Sequence, residues 1–170
     1  ELQTFSENIV LSLQAADALI NSMLEASRLD AGVVEPKREV FYLKDLFDRL
    51  GRDFTALAQA RNIDFRMVQT HQAVWSDPHL LRRILQNFLS NAVRYTSSGR
   101  VLLGCRRLGN MLRIEVWDTG PGIPQDKCSE IFLEFHRLKT PEHDKGERGL
   151  GLGLAIADRI SRLLDHPINL

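Results

Sequence analysis

The sequence predicts an α+β fold, a two-layer α/β sandwich with helices on one face of a sheet, preceded by a long helix. Apolar residues recur at steps of three and four through residues 3–31, as on one face of a helix. Alternating apolar positions at 101–105 and 112–116 flank Gly109-Asn110, which indicates a β-hairpin. Strands and helices do not alternate regularly elsewhere, which argues against a doubly wound nucleotide-binding fold.

The first predicted helix spans residues 3–31, and Gly32 follows as its stop signal. A helix of this length with one apolar stripe needs a partner, so we expect a helical hairpin whose first arm lies outside these residues. The alternative is a single amphipathic helix packed on its own domain. The stripe consists of Phe5, Ile9, Leu13, Ala16, Ile20, Met23 and Ser27.

A strand, a helix and a second strand are predicted next. A short polar link at 35–38 precedes a strand-like run at 39–43. Helical spacing of apolar residues continues from 44 to 61. The alternation at 63–68 predicts the second strand.

A strong helix start lies at Asp77. Val74-Trp75 form a short extended piece before it. Asp77 fits an N-cap and Pro78 fits the first helical position. We expect this helix to reach Tyr95 and to end in a turn at 96–99.

Beyond the hairpin, the sequence predicts a Gly/Pro turn and a short helix at 125–132. A polar stretch at 139–148 follows. A last helix is expected at 151–164, and antiparallel pairing is expected in the sheet.

Composition excludes several function classes. The chain has 170 residues, 44% hydrophobic and 26% charged, which is ordinary for a soluble globular domain plus an appendage. Basic and acidic residues number 22 each, without the basic excess typical of a nucleic-acid binder. No apolar run approaches the ~18 residues of a membrane span, so no direct membrane contact is expected in this chain. Cys105 and Cys128 match no metal spacing and favour a cytoplasmic setting, whether or not the parent protein is membrane-anchored.

Three segments carry chemistry, and the first lies on the helix after Pro78. Asn87 and Asn91 are four residues apart and share one helix face. Carboxamide oxygens suit Mg²⁺ when phosphates bring the negative charge, and Arg94 would add a cation. The alternative is two asparagines on a solvated face. Asparagine is a poor helix former, so two of them on an otherwise apolar helix need a reason.

The second segment, at 118–124, directly follows a strand expected to end at Trp117. A carboxylate there can accept a hydrogen bond from an exocyclic amine such as that of adenine. Gly120 and Gly122 allow the backbone to approach a flat ring. Alone, this segment could equally be a tight turn.

The third segment places Gly149, Gly151 and Gly153 at the start of the last helix. Backbone N–H groups at such a helix start can face phosphate oxygens. The segment lacks the Lys-Ser/Thr of a P-loop and follows no strand, so P-loop and Rossmann sites are disfavoured.

In this order, the segments at 87–91, 118–124 and 149–155 resemble the N box and the two glycine boxes of the histidine-kinase catalytic domain, in the GHKL (Bergerat) ATPase superfamily. Residues 131–138 resemble the intervening F box. Residues 23–32 resemble the end of the second helix of the dimerisation and histidine-phosphotransfer hairpin. The resemblance covers nearly the whole chain and implies the GHKL type of two-layer sandwich.

The resemblance implies a site for ATP and Mg²⁺. Asp118 would bind adenine, with Gly120 and Gly122 allowing its close approach. Asn91 would hold Mg²⁺, and Asn87 would support the metal or the phosphates. The other nucleotide contacts implied are Arg94, Tyr95, Ile123, Phe135, Arg137, Arg148, Gly149, Leu150, Gly151, Leu152 and Gly153.

The segment 135–148 matches the ATP lid of this family, and its polar sequence suits a mobile cover. Arg137 or Arg148 would reach the γ-phosphate, unless both are simply solvated lid charges.

The implied reaction is transfer of the γ-phosphoryl group of ATP to a histidine on the hairpin. Related chaperone, mismatch-repair and topoisomerase ATPases carry a glutamate base where this chain has Asn87, so transfer is favoured over hydrolysis. The acceptor histidine is absent, and no catalytic residue is assigned here. We therefore expect residues 1–32 to be part of the hairpin and 33–170 a C-terminally truncated catalytic domain that binds ATP without phosphorylating itself. The chain's histidines are His71, His79, His136, His143 and His166.

The implied partners are a second copy, bound through the first helix, and a response-regulator receiver domain. Two other functions stay open: a non-catalytic, nucleotide-gated dimerisation or regulatory module, and another GHKL-type ATPase.

Overall fold

The chain has the predicted α+β architecture, seen in a computed structural model that describes residues 2–136 and 151–170. Helices and a sheet pack in two layers, and a long helix precedes them. The helices are α1 (Leu2–Asp30), α2 (Leu43–Gln59), α3 (Pro78–Tyr95) and α4 (Gly153–Leu164); the strands are β1 (Glu39–Tyr42), β2 (Ile63–Met67), β3 (Ala73–Ser76), β4 (Gly99–Leu108) and β5 (Met111–Asp118).

The described strands form two sheets. Strands β2, β4 and β5 form a three-stranded sheet with β4 in the middle, and β1 pairs with β3 as a separate antiparallel ribbon. Antiparallel pairing is confirmed for the β4–β5 hairpin but is wrong for β2 and β4, which run parallel. The chain reaches β4 from β2 through β3 and α3, and a crossover of that length permits parallel pairing.

The main core lies between the sheet and the helices α2 and α3. Phe47 and Leu50 of α2, Leu89 of α3 and Leu103 of β4 are fully buried there. The opposite face of the sheet carries polar and aromatic side chains, among them the exposed Trp117. The helices therefore cover one face, as the sequence predicts.

Helix α1 packs against its own domain near its C-terminal end, and the helical hairpin expected from the sequence stays a prediction. The helix ends in a Schellman motif, in which Gly32 has φ +66° and the Val33 amide donates to the Arg28 carbonyl at 3.2 Å. Ala26 is buried in a second core cluster with α4, so the end of α1 packs on its own domain. The described apolar stripe faces outward, with Phe5, Ile9, Leu13, Ile20 and Met23 all exposed.

Helix α3 begins as predicted. The Asp77 side chain accepts hydrogen bonds from the amides of His79 and Leu80, and Pro78 occupies the first turn. A further bond from the Lys37 amide, at 2.8 Å, ties the link after α1 to this cap. The cap therefore fixes where the proposed functional helix starts.

The elements on either side of the polar stretch 139–148 differ from prediction. The segment expected as one short helix forms two 3₁₀ turns, Gln125–Lys127 and Glu130–Phe132, closed by i→i+3 bonds such as Lys127 to the Pro124 carbonyl at 2.8 Å. Helix α4 starts at Gly153 rather than 151, because Gly151 has φ +69° and cannot continue a right-handed helix.

The polar stretch 139–148 lies outside the described residues. Among the helices of the described ranges, none is both long enough and apolar enough to cross a membrane.

Candidate functional site

The two asparagines of α3 lie on the face that the sequence predicts. Both side chains are partly buried, one helical turn apart. The Nδ2 atom of Asn87 is buried and has no hydrogen-bond partner within the described part of the chain. A buried polar atom of this kind costs free energy unless a ligand or water satisfies it. Asn87 is therefore suited to bind a polar group.

The start of α4 lies against Asn87. A β-carbon at Gly153 would come 3.0 Å from the Asn87 Oδ1 atom, so a side chain there would crowd the carboxamide. Just before, the Phe135 amide donates to the Gly151 carbonyl at 3.1 Å. A β-carbon at Gly151 would lie 3.0 Å from the Phe135 backbone. Glycine therefore permits two close approaches at this corner.

The turn after β5 lies against the other end of α3. Asp118 Oδ1 accepts the Gly120 amide at 2.8 Å. A β-carbon at Gly120 would lie 3.1 Å from the Tyr95 carbonyl oxygen and 3.4 Å from the Thr96 hydroxyl. The Thr96 hydroxyl is buried without a partner among the described residues. The Thr96 hydroxyl oxygen is therefore a second buried polar atom of the site, after Asn87 Nδ2, that could form a hydrogen bond with a ligand.

Thr119 fixes the turn to the sheet. Its hydroxyl accepts the Arg100 amide at 3.0 Å, and its own amide donates to the Arg100 carbonyl at 3.1 Å. A β-carbon at Gly99, whose φ is +115°, would lie only 2.2 Å from that hydroxyl. This packing holds Asp118 at the end of its strand.

The two glycine segments thus bracket one face of α3. Gly153 meets the helix at Asn87 and Gly120 meets it at Tyr95. At 1.5 Å per residue, these two contacts are separated by about 12 Å along the helix. Asn91 lies between them on the same face. This grouping of three distant sequence segments is the central feature of the site.

Charged groups border the site near Phe135. Lys127 bonds to both carboxylate oxygens of Glu130, at 2.8 and 2.9 Å, and His136 Nε2 lies 3.2 Å from the same carboxylate. The hydrogen bond from Lys127 holds the pKa of Glu130 below its ordinary value, and the same bond raises the pKa of Lys127. Lys127 and Glu130 therefore both stay charged near neutral pH.

The donor set suits a metal that arrives with its ligand. The described residues contain no cluster of three or more His, Cys, Asp or Glu side chains able to hold a metal ion. Mg²⁺ commonly takes few protein ligands and completes its shell with phosphate oxygens and water. The carboxamides of Asn87 and Asn91 fit that kind of coordination.

The remaining predicted site residues differ from one another in how far they are buried. Arg94 and Tyr95 are partly buried at the end of α3, and the Arg94 carbonyl accepts Arg61 Nη1 at 3.4 Å. Leu152 is 3% exposed in the α4 cluster, so any ligand contact would come from its backbone. Gly122 is open to solvent with φ +71°, and Ile123 and Phe135 are exposed. The predicted contacts outside the described residues are Arg137, Arg148, Gly149 and Leu150.

Sequence analysis missed Thr96 and Thr119. Thr96 falls in a predicted turn and Thr119 in the segment at 118–124, and neither hydroxyl is given a role there because hydroxyl side chains are common in turns. Nothing in the local sequence distinguishes a buried, unpartnered hydroxyl from a solvated one.

A separate cavity of about 290 Å³ lies between α1, the link after it and the start of α3. It is distinct from the Asn face of α3. Its lining residues are Asn21, Leu24, Glu25, Arg28, Leu29, Val34 and Leu80.

Residues 76–170 match the sequence profile of the family described as histidine kinase-, DNA gyrase B- and HSP90-like ATPase. The matched range contains α3, the turn after β5 and the start of α4. All three parts of the site therefore lie within the matched range.

Individual relatives and solved structures are also similar to this chain. The chain is 32% identical to the sensor histidine kinase CusS of Escherichia coli K12 over 143 residues, which is 84% of this chain and 30% of CusS. Full-length ShkA, crystallised with AMPPNP, is 30% identical with a TM-score of 0.73, covering 86% of this chain and 30% of ShkA. The histidine kinase AdeS of Acinetobacter baumannii shares the fold, with a TM-score of 0.77 at 18% identity over 93% of this chain and 72% of the AdeS chain. The chain thus spans less than a third of the length of CusS.

Proposed function

The chain belongs to the family of histidine kinase-, DNA gyrase B- and HSP90-like ATPases, and on that premise we propose that residues 33–170 bind Mg·ATP as the catalytic domain of a sensor histidine kinase. The observation that carries the proposal is the bracketing of the Asn face of α3 by two glycine segments. Helix α1 is proposed to be part of the dimerisation and phosphotransfer hairpin.

Adenine recognition is assigned to Asp118. One of its oxygens holds the Gly120 amide, which leaves the other free to accept the exocyclic amine. The buried Thr96 hydroxyl lies at the same corner and offers a donor and acceptor to the base or to a bridging water. Gly120 and Gly122, with Ile123 and Tyr95, would line the ring.

Phosphate and metal binding is assigned to the opposite end. Asn91 would supply the metal ligand, and Asn87 would bind the metal or a phosphate oxygen. The start of α4, at Gly151 and Gly153, would present backbone N–H groups to the phosphates. Arg94 would add positive charge, with Arg137, Arg148 and the backbone of Gly149, Leu150 and Leu152 as further contacts.

The residues favour phosphoryl transfer over hydrolysis. Catalysis of this kind depends on positioning and on neutralising charge at the phosphates. Bound Mg²⁺ supplies much of that neutralisation. Asn87 cannot accept a proton, so the site offers water no general base at that position. The acceptor would be a histidine on a hairpin helix outside residues 1–170, because α1 contains no histidine.

Two protein partners are part of the proposal. The outward face of α1, with Leu13 and Ile20 exposed, suits a helical bundle with a second copy. The phosphoryl group would then pass from histidine to the receiver domain of a response regulator.

The deciding experiment has two arms. Calorimetry with Mg²⁺ and a nonhydrolysable ATP analogue should give saturable binding. The corresponding GTP analogue should bind more weakly. Labelled ATP should leave this chain unlabelled but should label a histidine-bearing hairpin supplied in trans. If folded protein gives no heat of binding with the ATP analogue, the nucleotide assignment is refuted. Binding without transfer to any hairpin would favour the nucleotide-gated module instead.

A further inference from the structure

Arg159 on α4 joins the end of α1 to the edge of the proposed nucleotide site. Its Nε atom donates to Asp30 Oδ1 at 2.6 Å, and its Nη2 atom donates to Glu134 Oε1 at 2.6 Å. The bond to Asp30 is the main reason that the pKa of the Arg159 guanidinium is raised. One planar cation therefore bridges two carboxylates from distant parts of the chain.

The Glu134 side of this bridge leads directly to the site. Glu134 precedes Phe135, whose amide bonds to the Gly151 carbonyl at 3.1 Å. Both Phe135 and Gly151 have left-handed backbone conformations, with φ 58° and 69°. Gly151 is two residues before Gly153, which lies against Asn87. A shift of Glu134 would therefore disturb the backbone that presents the start of α4.

The Asp30 side of the bridge depends on the position of α1. Asp30 is the last residue of α1, where an anion is disfavoured by the helix dipole. Arg159 offsets that cost only while α1 stays packed against α4 through Ala26 and its neighbours. The bond between Arg159 and Asp30 therefore depends on whether α1 is docked against α4.

We propose that Arg159 is a positioning residue that couples docking of α1 to nucleotide binding, by holding Asp30 and Glu134 at once. The inference rests on the proposed function, since it concerns the same site. Coupling of this kind is reciprocal: docked α1 strengthens nucleotide binding, and bound nucleotide strengthens the docking of α1. In a hairpin that transmits a signal, this bridge would carry the position of α1 to the phosphate end of the site.

A second ion pair on α1 provides a matched control. Glu25 pairs with Arg83 of α3, with bonds of 3.0 and 2.5 Å. Among the ion pairs of the described residues, Arg83 has Glu25 as its partner and makes no bridge to Glu134. Glu25→Gln thus removes an ion pair of α1 that shares no group with the bridge from Asp30 through Arg159 to Glu134.

The test is a double-mutant cycle in the full chain, read out as affinity for a nonhydrolysable ATP analogue with Mg²⁺. Asp30→Asn and Glu134→Gln should each weaken binding about two- to fivefold, the range for partly exposed ion pairs. The double variant should be no weaker than either single one, because both changes break one bridge. Glu25→Gln combined with Glu134→Gln should give the product of the separate effects.

Arg159→Lys adds a readout that a purely structural ion pair would not move. Lysine keeps the charge but lacks the fork that holds two carboxylates, so melting temperature should change little while the Asp30–Glu134 coupling disappears. Additive effects of Asp30→Asn and Glu134→Gln, with normal wild-type binding, would overturn the coupling alone. Absence of nucleotide binding by the wild-type chain would remove both the coupling and the proposed function.

Discussion

Gly153, the first residue of α4, lies so close to Asn87 of α3 that a β-carbon would come 3.0 Å from the carboxamide oxygen. The same carboxamide has a buried Nδ2 atom without a partner in the described residues. The absence of a side chain at 153 therefore leaves Asn87 in place, with its polar atoms available to a ligand.

Replacing this glycine should separate stability from binding. Gly153→Ala adds a helix-favouring residue worth up to about 1 kcal/mol, which offsets the crowding, so the melting temperature should change little. Nucleotide affinity should fall about tenfold, or about 1.4 kcal/mol, because the Asn87 carboxamide is displaced from its position in the site. Calorimetry and thermal denaturation on the same sample measure both quantities.

Gly51→Ala is the matched control for this change. Gly51 lies inside α2, and a β-carbon there would meet the flexible end of Met67 at 3.2 Å. Its nucleotide affinity should equal that of the wild type. An equal loss in both variants would contradict the role given to Gly153.

Asn91→Ala should abolish the magnesium-dependent part of nucleotide binding. Asn91 is the proposed carboxamide ligand, and removing a direct ligand leaves the metal with water and phosphate alone. We expect affinity with Mg²⁺ to fall by at least about tenfold, towards the value measured with chelator present. Ser90→Ala, at the exposed neighbouring position, should keep the full magnesium effect. Unchanged affinity of Asn91→Ala would show that the metal assignment is wrong.

The sequence predicts the order of elements well, because local signals set most of them. Asp77-Pro78 predicts the start of α3, and Gly109-Asn110 predicts the hairpin between β4 and β5, and both are confirmed. These signals depend on hydrogen bonds and backbone angles within a few residues. The parallel β2–β4 pair was not predicted, because long-range pairing has no local signal.

The site residues likewise divide into those that a sequence motif identifies and those that only the fold brings together. Motif spacing identifies Asn87, Asp118 and Gly153 as candidates, and their roles remain predictions. It does not identify the buried Thr96 hydroxyl or the Arg159 bridge. The bridge joins α1, α4 and the segment before Phe135, and only the folded chain brings these three parts together.

Asp118→Asn should reduce base selectivity. The asparagine can still accept the Gly120 amide, but its amide nitrogen cannot accept the adenine amine. A hydrogen bond to a charged group contributes about 1.5–3 kcal/mol, so affinity for the ATP analogue should fall about 10- to 150-fold. Affinity for the GTP analogue should change much less. Asp126→Asn, an exposed aspartate on the first 3₁₀ turn, should leave the ratio of the two affinities unchanged.

Glu115 should make a small, pH-dependent contribution to stability. The hydrogen bond from the Trp117 indole, at 3.2 Å, is the main cause that lowers the pKa of Glu115 below its ordinary value of 4.5, and Arg106 adds to it. A lowered pKa in the folded state means that the contribution is present above pH 4.5 and is lost as the pH falls through the folded value. Glu115→Gln should therefore lower the melting temperature at pH 7, and its difference from wild type should shrink below pH 4.5. A difference that stays constant across that range would contradict this assignment.

The Asp77 side chain should contribute strongly to the stability of the fold. It is 5% exposed and accepts three backbone amides: those of His79 and Leu80 at the start of α3, and that of Lys37 in the link after α1. Asp77→Ala leaves all three donors without this acceptor, so unfolding free energy should fall by about 2–4 kcal/mol. Urea denaturation measures this loss.

Asp77→Ser separates the two functions of this carboxylate. Serine still caps a helix but has one short oxygen, which cannot serve α3 and the Lys37 amide together. Its loss should be about 1–2 kcal/mol, close to the value of the single unpaired donor. Asp126→Ala, at an exposed turn, should change stability by less than about 0.5 kcal/mol. If the serine variant were as stable as wild type, the bond to Lys37 would contribute nothing, and only the helix cap would explain the burial of Asp77.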